Sequence, residues 1–476
     1  MKNNNLVIKL FLITLLIFSS CSSDFEEINT NEYKFNDATP EEVFAGVVKN
    51  TLDLVGGVMN DQIFNTYASY YGGKGGQFSR FFYQESTLDN YWRKFYVNIL
   101  KNNQEIIDNF SDNPDYLNRT YIAKIWKSYV FSVMVSTFGP VPYEEALSGA
   151  SSAKYDSEEL IYTSILSELE EASKNINSTG DVLSEDPIFN GDVDKWKKFA
   201  NSLLLRMGLR VVDAPGMSAA AQAAITAAIS GGVFTSNDDN AALHYEGATP
   251  NTNPVWVSLV QSGRADFVAA NTLVDFMNNL NDPRRSEYFD QNLGDGVYEG
   301  GPYGENNSFG SYTHIRGYDD GTAMHDPTFP ASLIDYAEVC FYKADAAERS
   351  ISGTPAAAAG FYNAGITASF DYWGATDVAT YLANPDVAYA TAPGDWKVKI
   401  GNQLWLAMYN RGFEAWTSWR IYDTPTFNLP AVSGLPVPTR YTYPISEQNL
   451  NETNWDAAST AIGGDEQTTK LFFDVN

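Results

Sequence analysis

The chain has 476 residues, with 59 acidic against 31 basic side chains and a formal charge of −28. That balance disfavours nucleic acid, anionic membrane surfaces and acidic polymers as partners, since each would approach against like charge. Two cysteines in so long a chain exclude a disulfide framework, so the fold must rest on its hydrophobic core.

The N-terminus reads as an export leader. Lys2 and Lys9 flank a polar start, Leu10 to Phe18 is an almost unbroken apolar run, and Ser19 and Ser20 precede Cys21. The run is roughly half of the ~20 residues that cross a bilayer as a helix, so residues 1–20 are expected to be removed. The end of this leader resembles the lipobox of bacterial lipoproteins, which is cleaved before a cysteine that is then acylated. The acidic stretch Ser22-Ser23-Asp24-Phe25-Glu26-Glu27 resembles the export tag of Bacteroidetes lipoproteins displayed on the outer surface. Residues 21–37 are then expected to form a lipidated tether, and 38–476 a folded domain.

Thr39-Pro40-Glu41-Glu42 predicts a helix start, with Thr39 as N-cap, Pro40 in the first turn and Glu42 closing a capping box. Gly72-Gly73-Lys74-Gly75-Gly76 is too rich in glycine for an element interior and marks a loop. Helical spacing returns over Tyr91 to Ile107 and over Arg119 to Phe138. Asp156-Ser157-Glu158-Glu159 is a second capping signature, followed by Ile161, Ile165, Leu169, Ala172 and Ile176 on one face. Asp194 to Val212 repeats the pattern with Trp196, Ala200, Leu203, Met207 and Val211, and Pro215-Gly216 ends it. Two further helices are predicted at Ala331 to Glu348 and Lys399 to Trp419. The expected fold is mainly α, a tetratricopeptide-like scaffold of paired helices without a regular 34-residue period.

Between these helices lie Ser236 to Gly263, Asp290 to Pro330 and Tyr422 to Asn454, rich in Gly, Asn, Asp, Pro and aromatics. Loops of such length are functional or disordered, and their aromatic content argues for function. The chain holds 29 Tyr and 10 Trp, and aromatic faces stack on the apolar faces of sugar rings. Two loops combine aromatic with amide or arginine side chains. The first runs from Tyr70 to Tyr83 and includes Tyr71 and Phe78. The second runs from Tyr298 to Tyr318 and gathers Tyr298, Tyr303, Asn306, Asn307, Phe309, Tyr312 and Arg316. These are the candidate ligand residues, whereas Trp92, Trp196 and Trp416 sit at apolar helical positions and belong to the core.

With only His244, His314 and His325, and no HExxH, CxxC or phosphate-loop pattern, zinc and nucleotide chemistry lack their ligands. His314 and His325 share one loop and read as polar loop residues rather than a metal site, and no metal or other cofactor is expected. Asp295 and Asp319-Asp320 read as turn residues rather than cation ligands. Cys340, between Val339 and Phe341, reads as a small buried hydrophobe. A carboxylate pair of the glycosidase kind has no signature, so a binding protein is expected and not an enzyme.

Phe138-Gly139-Pro140-Val141-Pro142-Tyr143, with Glu145-Ala146-Leu147 and Lys154-Tyr155-Asp156 after it, resembles the signature segment of SusD/RagB-type lipoproteins. The resemblance continues through Gly191 to Met207, Tyr336-Ala337-Glu338-Val339, Gly412-Phe413-Glu414-Ala415-Trp416-Thr417 and Arg440-Tyr441 with Tyr443-Pro444. It implies a helical fold without catalysis, residues 38–476 being the ligand-binding domain, and capture of a glycan at the cell surface, with the protein lipid-anchored in the outer membrane. It also implies a SusC-like TonB-dependent transporter as partner. Peptide capture by the same kind of complex is the alternative that the resemblance leaves open, and a surface glycoside hydrolase is the more distant one.

Overall fold

The computed structural model describes residues 39–57, 65, 69–73, 85–149, 152–265, 267–318 and 320–475. Helix α1, Pro40–Val55, begins as expected. Thr39 Oγ1 accepts from the Glu42 N–H at 3.3 Å, and the Glu42 carboxylate accepts from the Thr39 N–H at 2.9 Å. The predicted helix around Tyr91 is longer than its spacing suggested. α2, Glu85–Arg93, passes through a π-helical stretch, Lys94–Leu100, into α3, Lys101–Phe110. The wider turn lets Phe95, Ile99 and Leu100 all reach the core.

α4, Leu117–Phe138, is apolar nearly all round and is the central helix of this half. α5, Glu158–Asn175, starts one residue later than the sequence signature implied, because Ser157 accepts from the Leu160 N–H. Asp156 instead accepts from the N–H groups of Tyr143 and Glu144 at 3.0 and 2.8 Å, which ties the helix entrance to the signature loop. α6, Val193–Val211, is capped by Asp192, and the alanine-rich α7, Ser218–Gly231, packs on it. α4, α5, α6 and α7 pack as successive neighbours, which is the tetratricopeptide-like arrangement.

The second half, which opens with α8, Asn271–Asn279, departs from expectation twice. Ala331–Ile334 is not helical but a strand that pairs antiparallel with β2, Ala241–Leu243. Helix α9, Tyr336–Glu348, begins only after Asp335, whose side chain accepts from the Glu338 N–H at 2.8 Å. The span Lys399 to Trp419 holds two helices, α11, Trp396–Ala407, and α12, Gly412–Tyr422, separated where Asn410 takes φ +64°. α10, Pro355–Trp373, packs along α9, and α11 packs against both α9 and α12.

That break places Arg411 in the interior. Arg206 of α6 grips Glu338 of α9 with Nε to Oε1 at 2.6 Å and a second nitrogen to Oε2 at 2.8 Å, and reaches Glu414 of α12 at 3.0 Å. Arg210 meets Glu414 at 2.6 Å, while Arg411 meets Glu338 at 2.6 Å and Asp335 at 2.9 Å. Burial by itself would lower the Arg206 pKa, but Glu338 and Glu414 outweigh it and hold the guanidinium above its ordinary value. The segments that carry the family resemblance are therefore the ones that clamp the two helical halves together.

The signature loop has the same purpose. Its Phe138 carbonyl accepts two bonds from Arg440, the Tyr443 hydroxyl donates to the Pro140 carbonyl, and the Tyr96 hydroxyl donates to that of Pro142. Trp92, Trp196 and Trp416 are buried. Cys340 is buried too, with its thiol pushed up to about 11 by burial.

Candidate functional site

Both aromatic loops meet on one short strand. β3, Phe267–Ala269, pairs antiparallel with β1, Tyr71–Gly73, in the register Tyr71↔Ala269, Gly72↔Val268 and Gly73↔Phe267. The second loop bonds to the same strand, because the Ala269 N–H donates to the Thr313 carbonyl at 3.0 Å and the Ala269 carbonyl accepts from the Gly301 N–H at 2.9 Å. Tyr70 anchors the junction. It is buried, its hydroxyl donates to the Trp405 carbonyl, and its ring lies 5.3 Å from Trp405 and 5.5 Å from Tyr409.

The third long loop closes on the second. The Ala431 N–H donates to the Tyr303 carbonyl at 2.8 Å. Gly304, at φ +77°, lies so close to Pro430 that a Cβ there would stand 2.5 Å from the proline ring, which leaves glycine as the residue that fits.

The face thus assembled presents Tyr318, which is 42% exposed. Its ring rests edge-on against Phe309 at 4.6 Å, His314 at 5.0 Å and His325 at 5.7 Å, and Phe309 lies flat on His314 at 4.0 Å. The imidazoles are tied to the backbone, His314 Nε2 to the Phe309 carbonyl and His325 Nδ1 to the Arg316 carbonyl, each at 3.0 Å. Burial holds His325 below the ordinary imidazole value, so it is neutral at neutral pH. The turn that aims Tyr318 outward depends on Gly317, at φ +99°, where a Cβ would stand 1.7 Å from the Thr322 carbonyl oxygen. Two carboxylates brace the same turn. Asp290 accepts from the Gly317 N–H at 2.9 Å and pairs with Arg316 at 3.3 Å, and Asp320 meets Arg316 at 3.2 Å.

The candidate residues fall into distinct places. Phe309 and Tyr318 form the face, Asn306 is exposed beside them in the chain, and Tyr312 is half-buried with its carbonyl bonded to Asn292. Arg316 is half-buried in its ion pairs. Tyr298 is half-buried too, packing on Phe289 with the Arg285 guanidinium 5.5 Å over its ring. Tyr303 is a correction. Expected as a ligand contact, it is 1% exposed and burial drives its phenol well above the ordinary pKa, so it pins the loop to the core. Asn307 is likewise buried, donating to the Pro302 carbonyl. Tyr71 lies on β1, and the Tyr71 side chain, Phe78 and Cys21 fall outside the described residues.

Tyr318 bounded the second loop in the sequence without being singled out, and the glycine before it was the available signal. Among the described residues no group of three His, Cys, Asp or Glu side chains is placed to hold a metal ion. Asp320 is a turn cap. It accepts from the Thr322 hydroxyl and N–H, and these bonds hold its carboxyl below the ordinary range.

A helical scaffold whose second long loop folds onto β3 and carries an aromatic face has the build of a ligand-capture protein. The chain belongs to the SusD-like family described as starch-binding and associating with the outer membrane, whose pattern it matches over residues 32–444. This agrees with the resemblance read from the sequence. No curated protein matches the chain. Among solved structures it is similar to one described as a chitin-binding protein, at 28% identity and a TM-score of 0.81, covering 92% of this chain and 100% of that one. It is also similar to a chitin-binding SusD homolog from Flavobacterium johnsoniae, at 23% identity and TM-score 0.77 over 91% and 99% of the two chains. A SusD homolog from Bacteroides uniformis shares the fold at 24% identity and TM-score 0.77, with the same coverage.

Proposed function

We propose that this chain captures a glycan on the Tyr318 face at the outer surface of the outer membrane and passes it, unaltered, to a SusC-like TonB-dependent transporter. Acyl chains on Cys21 hold it there. The observation that carries the reading is the folding of the second aromatic loop onto β3, which, among the described residues, leaves the Tyr318 ring exposed with three rings behind it. An exposed ring backed by fixed rings suits stacking against the C–H face of a sugar. The family description and the relatives named as chitin-binding favour a glycan over a peptide. Retention without conversion fits the carboxylates of this face, since Asp290 and Asp320 are committed to Arg316, the Gly317 N–H and Thr322.

Replacing Tyr318 by Ala is expected to weaken oligosaccharide binding about tenfold, the size of a lost aromatic contact. The thermal midpoint should stay where it is, because the ring is at the surface. Calorimetry against an oligosaccharide panel reads this, and unchanged affinity in a folded variant removes the platform. Chromatography of the recovered sugar checks the absence of conversion, and shortened products would favour the hydrolase reading. Labelling cells with a fatty acid tests the anchor. The mature chain is expected to carry label that Cys21→Ala loses, and an unlabelled wild type argues against lipid attachment.

A further inference from the structure

Beside the Tyr318 ring lies a crevice of about 10 Å³, lined by Leu259, Arg264, Phe267, Phe309, Ile315 and His325 with Tyr318 itself. That is the room one water or one methyl-sized group needs. Its walls are chiefly apolar. Leu259, Phe267 and Ile315 are buried, and Leu259 comes from a π-helical turn, Val257–Gln261, a deviation that recurs at functional sites. Arg264 supplies a cation at the wall, its guanidinium 5.1 Å over the Phe267 ring.

A sugar stacked on Tyr318 therefore meets, next to its ring, a methyl-sized apolar hole with a donor group at its side. A hydroxyl entering the hole exchanges water for hydrocarbon and is penalised. A methyl entering it is favoured, at about 0.8 kcal/mol or fourfold in affinity. Arginine offers only donors, so the matching atom next to that methyl is an acceptor such as a carbonyl oxygen. A deoxy sugar supplies the methyl without the carbonyl, and a plain hexose supplies neither. We infer that the Tyr318 face selects a 2-acetamido sugar, with the acetamido methyl in this crevice and its carbonyl toward Arg264. The inference rests on the glycan reading above and narrows it.

The test compares chitohexaose with cellohexaose, which share the β-1,4 backbone and differ at C2 in acetamido against hydroxyl. Titration of each into the purified full chain in detergent should favour chitohexaose by at least about fourfold. Leu259→Phe, which fills the crevice, should bring that ratio towards one, with its thermal midpoint recorded to show that it folds. Equal affinities of the wild-type chain for the two hexamers would overturn the acetamido assignment and leave glycan capture standing, as would a preference that survives in folded Leu259→Phe. Binding of neither hexamer, nor of maltohexaose or any other oligosaccharide, would remove both.

Discussion

Replacing Arg206 by Met is expected to cost the fold about 3–5 kcal/mol, the penalty typical of breaking a buried ion pair by removing one partner. The substitution leaves Glu338 with Arg411 as its remaining cation and Glu414 with Arg210, and it strips the Leu333 carbonyl of a 2.7 Å hydrogen bond. The charges around Arg206 have almost no contact with water, since its side chain and that of Glu338 are fully buried. The second variant to make is Arg206→Met with Glu338→Leu. It leaves two one-to-one pairs, Arg210 with Glu414 and Arg411 with Asp335, and should recover more than about 1 kcal/mol of the loss. Urea unfolding of the single and double variants measures both. A single-variant loss below about 1 kcal/mol would mean that the network is hydrated or rearranged in solution.

The other large effect depends on pH. Glu158, the first residue of α5, is buried against the C-terminal segment, where its Oε1 accepts from the Phe472 N–H at 2.9 Å. Burial raises its pKa from 4.5 to about 7, outweighing that hydrogen bond and the nearby charges of Arg440 and Arg420. The folded chain then binds this proton more tightly than the unfolded chain does. The stabilisation is fully present below about pH 4.5 and is lost as pH rises through about 7, a change on the order of 3 kcal/mol. Glu158→Gln keeps an acceptor for Phe472 and removes the charge. It should be more stable than the wild type by up to about 3 kcal/mol at pH 8, with the difference shrinking towards zero near pH 4.5. Denaturation midpoints of the two chains across that range decide it, and a difference that does not change with pH would show that Glu158 reaches water.

Burial of both groups follows from their place in the fold. Arg206 and Glu338 join α6 to α9 across the middle of the molecule, and Glu158 sits where the signature loop, α5 and the C-terminus meet. The residues that carry the family resemblance are thus largely structural, and they say little about the ligand. The exposed ring of Tyr318 and the crevice beside it lie instead in the irregular stretch around Gly317, where the loop path sets what faces outward.

Local chemistry was sufficient for much of the scaffold. The capping box at Thr39 places the start of α1 because its two hydrogen bonds close within four residues. The apolar spacing of α5 and α6 marks their buried faces because helical periodicity is a property of the chain alone. Where partners came from far away, the same rules misplaced elements. Ala331–Ile334 has helical spacing but is a strand because β2 supplies its hydrogen bonds, and the helix from Lys399 is interrupted around Asn410 as Arg411 turns toward Asp335 and Glu338.

The candidate site divides along the same line. Aromatic and glycine content marked the loop from Tyr298 to Tyr318 because such composition is legible in order. Beyond the glycine before Tyr318, which of its rings faces outward was decided by contacts formed only in the folded loop. Tyr303 turns inward with its carbonyl bonded to Ala431, and Tyr318 is propped outward by two histidines and Phe309. Sequence by itself determined most of the helices and the kind of residue in the stretches between them, because those depend on neighbours along the chain, although helices Ile445–Leu450 and Glu452–Ala461 occupy the end of the expected loop Tyr422 to Asn454. Only the tertiary structure decided which side chains are exposed and which are buried, because exposure is set by how the chain packs in three dimensions.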